Sequence, residues 1–428
     1  MCSSTGLGKR IPMKYESLPL KITIATLHFP PDRGPSAPIY STLAEGLEKE
    51  GMDVSVIALQ PHYDPDSMQH RLEKTVENNG VRILRENLGF SFRAATGWEK
   101  IWALIKTNLL FYRLYKKAGP SDWIIIHSPV FIYALLLLFA IKNESILYHV
   151  QDLYPDIYCQ IRGTSNSSST SKLILLMERY AIEKAEKIVT ISPTMAEELK
   201  TRTSKPEKVQ IVHNPVSIPI EETEKSIKNK KFSGKKFNIL FAGNMGAAQG
   251  LETILQAAII VEKNNPEVGF LLVGDGSERL KLMKLVEDNG LGNVTFLPYK
   301  DPKSLPDLYA SADAALVCLA PGMSSLALPS KLYTAMALGC PVLGLFDKGS
   351  YSEQLIEGEN VGKVVTDYSP ETIADTVQWM YSNPFILKQM GEKGLSFSQK
   401  YLNKENFVRA FVEILSSQEI KNGKNKIS

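Results

Sequence analysis

Leu328-Pro329-Ser330-Lys331-Leu332-Tyr333-Thr334-Ala335-Met336-Ala337-Leu338-Gly339-Cys340-Pro341-Val342 is the stretch whose reading decides the fold. Ser330 is suited to cap a short helix and Gly339 to end it in a left-handed conformation. Pro341 then opens the apolar run Val342 to Phe346, which reads as a buried strand. A strand, loop, helix and strand in this order make a corner of a parallel sheet. The first-turn N–H groups of a helix lack partners and carry partial positive charge, so an anion is stabilised there, and Lys331 adds a full charge. A phosphate fits that chemistry. Taken alone, the stretch reads first as a well-capped packing helix with a surface lysine; glycine-rich corners elsewhere reverse that reading in favour of the anion site.

A chain of 428 residues exceeds one ordinary core and fits two domains of about 200 residues each. Its charged fraction of 22% and hydrophobic fraction of 44% are those of a soluble globular protein. A net charge of +3, with lysine and arginine spread along the chain, excludes nucleic acid as the expected partner. Cys2, Cys159, Cys318 and Cys340 lie far apart, without a C-x-x-C pair or a histidine at ligand spacing. The expectation is reduced thiols, a cytoplasmic location and no metal site. Residues 1–20 lack the apolar core of a signal peptide and read as a disordered lead-in. Val130 to Ile141 is about half the roughly 20 residues that a membrane span needs, so a buried helix is expected there.

Lys21 to Leu27 alternates like a strand and runs into the Pro/Gly loop His28 to Ser36, where Gly34 would let a backbone approach a ligand closely. A helix through Tyr40, Leu43 and Leu47 and a strand from Val54 to Leu59 complete a βαβ unit, whose first loop is where open α/β sheets place ligands. Trp98 to Lys117 reads as a helix with a wide apolar surface and the basic residues Lys100, Lys106, Arg113, Lys116 and Lys117, the composition of an interfacial membrane helix. A packing helix with a solvated basic face has the same pattern. Asp122 to Ile126 is a buried strand ending at His127, which the carboxyl end of a parallel strand would turn toward a ligand crevice. After the strand Ile146 to Val150, Asp152 and Asp156 reach the same rim, as candidates to orient acceptor hydroxyls or as helix caps. The polar stretch Gly163 to Thr170 reads as a mobile loop. The first domain is expected over 21–215, and the charged segment 216–236 as a linker.

The pattern then restarts. The strand Phe237 to Ala242 leads into Gly243-Asn244-Met245-Gly246-Ala247-Ala248-Gln249-Gly250 and a helix, a candidate phosphate cradle. Val268 to Val273 leads into Gly274-Asp275-Gly276-Ser277, and Asn293 to Tyr299 is a strand and loop. Ala314 to Leu319 precedes the corner at Ser330, and Ser352-Glu353 begins another helix. The second domain is expected over 237–400, a C-terminal helix over 401–417 and a disordered tail over 418–428. Two doubly wound α/β domains facing a cleft is the predicted architecture.

Gly34, Gly243-Asn244-Met245-Gly246, Gln249-Gly250, Gly274-Asp275-Gly276-Ser277, Pro329-Ser330-Lys331 and Met336-Ala337-x-Gly339-x-Pro341-Val342 together resemble retaining glycosyltransferase family 4, with the GT-B fold. Gly-Asn-x-Gly-x-x-Gln-Gly is similar to a subgroup that includes bacterial aminosugar (N-acetylfucosamine-type) transferases of surface-polysaccharide assembly. The resemblance implies a nucleotide-sugar donor, UDP-linked, held by the second domain. It places Gly243, Asn244 and Gly246 around the diphosphate with Lys331 as charge partner, and Gln249, Gly274 and Ser330 among the donor-binding residues. Pro298 and Tyr299 fall near the base, Thr334 and Glu353 near the ribose or sugar, and His127 at the active-site histidine. Gly34 packs against the phosphate on closure. No cofactor and no metal are implied. A polyprenyl-diphosphate-linked acceptor, met at the inner face of the plasma membrane through 98–117, is the expected partner.

Two departures stand out. The family's E-x7-E glutamates fall at Leu326 and Thr334, and its diphosphate-clasping arginine and lysine fall at Asn244 and Gln249. A nucleotide-sugar epimerase or a non-catalytic nucleotide-sugar-binding homologue are the alternatives.

Overall fold

A computed structural model describes residues 19–32, 34, 36–62, 72–89, 97–162, 169–216 and 234–417. The expected lead-in apart from its last two residues, positions 163–168 of the polar loop, most of the linker and the tail lie outside these residues.

Two sheets carry the molecule. The first contains β1 (Lys21–Thr26), β2 (Asp53–Leu59), β3 (Thr75–Asn78), β4 (Val81–Glu86), β5 (Trp123–His127), β6 (Ser145–Val150), β7 (Lys187–Thr190) and β8 (Val209–Ile211). Their order is β3-β4-β2-β1-β5-β6-β7-β8, parallel except for the β3–β4 hairpin. The second contains β9 (Phe237–Ala242), β10 (Val268–Val273), β11 (Val294–Leu297), β12 (Ala314–Cys318), β13 (Val342–Leu345) and β14 (Gly362–Val365), all parallel, in the order β11-β10-β9-β12-β13-β14. Helices cover both faces, so the central strands are apolar throughout. Ile124, Ile125 and Ile126 are each fully buried, as a strand packed on two sides requires.

The C-terminal helix Lys404–Ser416 returns to the first sheet. Its Phe407, Phe411, Ile414 and Leu415 join Tyr40, Leu43 and Leu47 of the helix Ala37–Lys49 in one core. Burying each large side chain contributes about 1.5–3 kcal/mol before ordering costs, so this helix clamps the two halves. Further bonds cross the boundary: Leu153 N–H to the Leu326 carbonyl at 3.2 Å, and Val216 N–H to the Leu402 carbonyl at 2.9 Å.

Two local expectations need correction, and one element was missed. The run Val130 to Ile141 is not one buried α-helix: a 3-10 turn, Val130–Tyr133, is followed by a π-helical turn, Leu136–Ala140. Leu138 and Phe139 are exposed there, because this segment covers the sheet with one side only. Ser330 does not cap its helix. Pro329, extended, occupies the cap and Ser330 is the first helical residue, with no side-chain cap bond. The hairpin β3–β4 escaped the sequence reading because its outer strand is polar and mostly exposed. Gly339 does end the Ser330–Ala337 helix at φ 64°, with its N–H on the Met336 carbonyl.

Gly274 allows the loops after β9 and β10 to touch: a Cβ there would lie 1.9 Å from the Gly243 carbonyl oxygen. Gly274→Ala is therefore expected to destabilise the fold by about 3 kcal/mol or more, whereas Gly349→Ala, with open space around it, should cost only about 1 kcal/mol. Urea unfolding of both variants checks the contrast.

Candidate active site

The corners of the second sheet converge because its strands are parallel and in register. Ala242 pairs with Val273, so the loops after β9 and β10 leave at one height. Gly243 N–H donates to the Val273 carbonyl at 2.9 Å, Met245 N–H to the Asp275 carbonyl at 2.7 Å, and Glu278 N–H to the Met245 carbonyl at 3.0 Å. These bonds fix the 243–246 loop.

Lys331 then spans from the far corner to this one. Its Nζ donates to Gln249 Oε1 at 2.5 Å, lies 4.0 Å from the centre of the Phe241 ring, and would stand 3.4 Å from a Cβ on Gly243. Burial pushes its pKa down to about 8. Among the described residues no carboxylate pairs with it. The result is a desolvated cation with only an amide oxygen and a π-face as partners, beside glycine-rich backbone and the first turn of its own helix. Such a place stabilises an anion.

The remaining candidates of this half differ in what already engages them. Asn244 reaches over Gly246, its Nδ2 lying 2.9 Å from where a Cβ would stand. Thr334 is half-buried and donates its hydroxyl to the Ser330 carbonyl at 3.3 Å. Glu353 forms a helix cap: its carboxylate accepts Gly349 N–H at 2.5 Å and its own N–H donates to Ser350 Oγ at 3.3 Å. Pro298 and Tyr299 are exposed just beyond β11, at the sheet edge.

In the first half, His127 ends β5 directly beside His149 of β6. His127 donates Nδ1–H to the Ser128 carbonyl at 2.7 Å and stacks on Tyr40 at 5.0 Å. Burial pushes its pKa down to about 4, so the ring is neutral and Nε2 is an acceptor. Among the described residues that atom is buried without a hydrogen-bond partner. An unmet acceptor of this kind costs roughly 1–3 kcal/mol, which a hydroxyl donor from a ligand would recover.

A polar chain that the sequence reading missed lies alongside. The Tyr40 hydroxyl is 3.1 Å from His149 Nδ1, Gln151 Nε2 is 2.8 Å from His149 Nε2, and Asn214 Nδ2 donates to Gln151 Oε1 at 2.6 Å. The spacing of these residues carries no motif, since a helix (Tyr40), the end of β6 (His149, with Gln151 directly after it) and the segment after β8 (Asn214) supply them.

Asp152 and Asp156 are not equivalent. Asp156 is ion-paired with Arg202 at 2.8 Å, which also binds Glu198. Asp152 pairs backbone with Ala327 across the boundary between halves, and burial pushes its pKa up to about 6. His213 completes the junction, donating toward the Ile191 carbonyl at 2.9 Å, with its ring 5.6 Å from Tyr351 in parallel stacking and Tyr333 at 3.0 Å. Gly34 lies against the His28 ring, where a Cβ would sit 2.1 Å from Cγ.

Lys331 has a measurable cost in the unliganded protein. Its folded pKa lies below the unfolded value of 10.5, so the unfolded chain binds more protons between about 8 and 10.5 and stability rises with pH across that window. Lys331→Met should melt higher than wild type at pH 7, and the gap should narrow as pH rises through the same window. Thermal melting of both proteins across pH checks this.

Residues 40–218 match the family described as Glycosyltransferase Family 4, and residues 222–397 match Glycosyl transferases group 1. The chain is similar to the putative colanic acid biosynthesis glycosyl transferase WcaI of Escherichia coli K12, 23% identical over 418 residues covering 92% of this chain and 99% of WcaI. It is similar also to the probable glycosyltransferase WbjE of Pseudomonas aeruginosa, 24% identical over 67% of this chain and 72% of WbjE. Sucrose-phosphate synthase of Thermosynechococcus elongatus shares the fold with a TM-score of 0.74 at 18% identity, over 94% of this chain and 100% of that one. Anabaena Alr3699/HepE, solved with UDP-glucose, does so with a TM-score of 0.68 at 15% identity, over 93% and 100%. With two parallel sheets joined by a returning helix, and with Glycosyltransferase Family 4 matched by the first half and Glycosyl transferases group 1 by the second, the chain is a glycosyltransferase of GT-B architecture.

Proposed function

We propose that the protein transfers a sugar from a UDP-sugar to a lipid-linked or saccharide acceptor, with retention, in the assembly of a cell-surface polysaccharide. The observation that carries this reading is the desolvated, carboxylate-free Lys331 at the meeting of the glycine corners. The UDP-glucose in the HepE structure and the name of WcaI support the donor and the pathway class. An aminosugar is the subgroup that the Gly243 to Gly250 stretch resembles.

In this reading the diphosphate lies against the 243–246 loop, the first turn of the Ser330–Ala337 helix and Lys331. As the bond from sugar to phosphate breaks, negative charge grows on the leaving diphosphate, and Lys331 is already placed and already stripped of water to meet it. His127 Nε2 accepts a hydroxyl of the transferred sugar. Asp152, at the boundary between halves, orients the acceptor hydroxyl. The family's first glutamate position, Leu326, instead packs on the first-sheet core and gives its carbonyl to Leu153, which supports its use in holding the halves together.

The acceptor side supports contact with an anionic bilayer. The helix Gly97–Ala118 exposes Trp98 by 79% and Trp102 by 68%, with Ile101, Ile105 and Leu109. The turn Leu136–Ala140 and the helix Ser169–Lys184 add exposed Leu138, Phe139, Leu173 and Leu176. Basic residues accompany this apolar surface, each worth about 1 kcal/mol near anionic headgroups. No helix among the described residues is long and apolar enough to cross a membrane.

UDP should raise the melting temperature where GDP and ADP do not, and Lys331→Ala should abolish the shift. UDP affinity should weaken as pH rises through about 8, as Lys331 loses its proton, and this dependence should vanish in the variant. No shift with any nucleotide would instead favour a non-catalytic protein, and sugar interconversion without acceptor an epimerase. His127→Ala should lower kcat/KM for donor turnover by about 10- to 100-fold with UDP affinity kept. Trp98→Glu/Trp102→Glu should lose binding to vesicles rich in anionic lipid; unchanged sedimentation with vesicles at low salt would remove the membrane contact.

A further inference from the structure

We propose that His28, Asp32 and His62 form a divalent transition-metal site that ties the loop after β1 to the loop after β2. The parallel pairing of β1 with β2 sets Thr26 opposite Ala58, so the two loops leave the sheet side by side. His62, thirty residues beyond Asp32 in sequence, thereby meets the His28–Asp32 pair. His28 Nδ1 lies 2.7 Å from Asp32 Oδ2, and His62 Nδ1 lies 3.6 Å from the same oxygen. One ligand-capable atom of each of the three residues lies within 4.8 Å of the others. Zinc with donors at roughly 2.0–2.1 Å in a tetrahedron separates those donors by roughly 3.3 Å, so the observed distances bracket the required edge.

The rings of His28 and His62 stack at 4.8 Å with an interplanar angle of 20°, which turns both Nδ1 atoms toward Asp32. The Asp32 side chain is fully buried, His62 is 4% exposed and the His28 side chain 15%, so Asp32 and His62 are shielded from bulk water and His28 forms the solvent-side edge. Gly34 closes over His28, admitting no side chain in between. Two imidazoles and a carboxylate suit Zn²⁺, Co²⁺ or Ni²⁺ rather than Mg²⁺ or Ca²⁺. In the metal-free form His62 Nδ1–H donates to the Gln60 carbonyl at 3.0 Å. The metal takes the place of that hydrogen while the neutral ring carries its proton on Nε2, so no net proton is lost from His62. Arg85 opposes the metal's charge. Its guanidinium is held by the Pro30 carbonyl at 2.5 Å and the Phe29 carbonyl at 3.4 Å, on the same loop as Asp32, and it places the affinity below that of a closed thiolate site.

The test uses tag-free full-length protein stripped with EDTA and titrated with Co²⁺. The expected result is one equivalent bound per chain, with visible d–d absorption that Zn²⁺ displaces and a melting temperature raised by Zn²⁺. His62→Ala and Asp32→Asn should each weaken Co²⁺ binding by about tenfold or more. The shape-conserving His28→Gln/His62→Gln should abolish the absorption, with circular dichroism and melting in EDTA showing that it folds. Absence of the absorption in wild type, or an unchanged titration in the folded double variant, overturns the proposal. UDP binding by the same stripped protein reports on the donor site separately.

Discussion

The second half of the molecule depends on one electrostatic constraint, the desolvation of the Lys331 ammonium with no carboxylate partner among the described residues. Moving a charge out of water is costly, and an amide oxygen from Gln249 and the face of Phe241 compensate only in part. Surrounding features follow from keeping that cation in place. Gly243 and Gly274 permit two loops to touch where side chains would separate them, and their backbone bonds hold the corner open toward Lys331. Tyr333, two positions along the same helix, reaches His213 at the exit of the first sheet. The helix that carries Lys331 is thus mechanically joined to the other half.

The first half is organised by buried neutral imidazoles. His127 and His149 end adjacent strands, and burial keeps both rings uncharged at neutral pH. A neutral ring whose Nδ1 is already committed must act as an acceptor at Nε2, so the backbone bond to Ser128 decides what His127 can recognise. On the proposed reading the two halves have complementary roles: one offers positive charge and donors to a diphosphate, the other an acceptor to hydroxyls. Asp152, raised by burial toward neutrality, stands where they meet.

Much of this was legible in the sequence because parallel strands buried on both faces read as unbroken apolar runs, and each such run ended in glycine or proline. That placed the corners at Gly243, Gly274 and Ser330 in order. What was not legible depended on tertiary approach. Nothing local shows that Lys331 meets Gln249, that Glu353 caps its own helix, or that Asp156 is held by Arg202. The polar strand β3 lacks the apolar signal altogether, and the π-helical turn has no distinguishing residue type. His28 and His62 become neighbours only through the pairing of β1 with β2.

The central claim is that Lys331 is the preformed counter-charge of a diphosphate. Calorimetric titration with UDP, at a pH above the Lys331 value of about 8 and in buffers of different ionisation enthalpy, tests it most directly. The account predicts that binding draws a proton onto the protein, because the diphosphate restores the charged ammonium, and that Lys331→Met abolishes this uptake. UDP binding with no proton uptake, or with the same uptake in the variant, would contradict it.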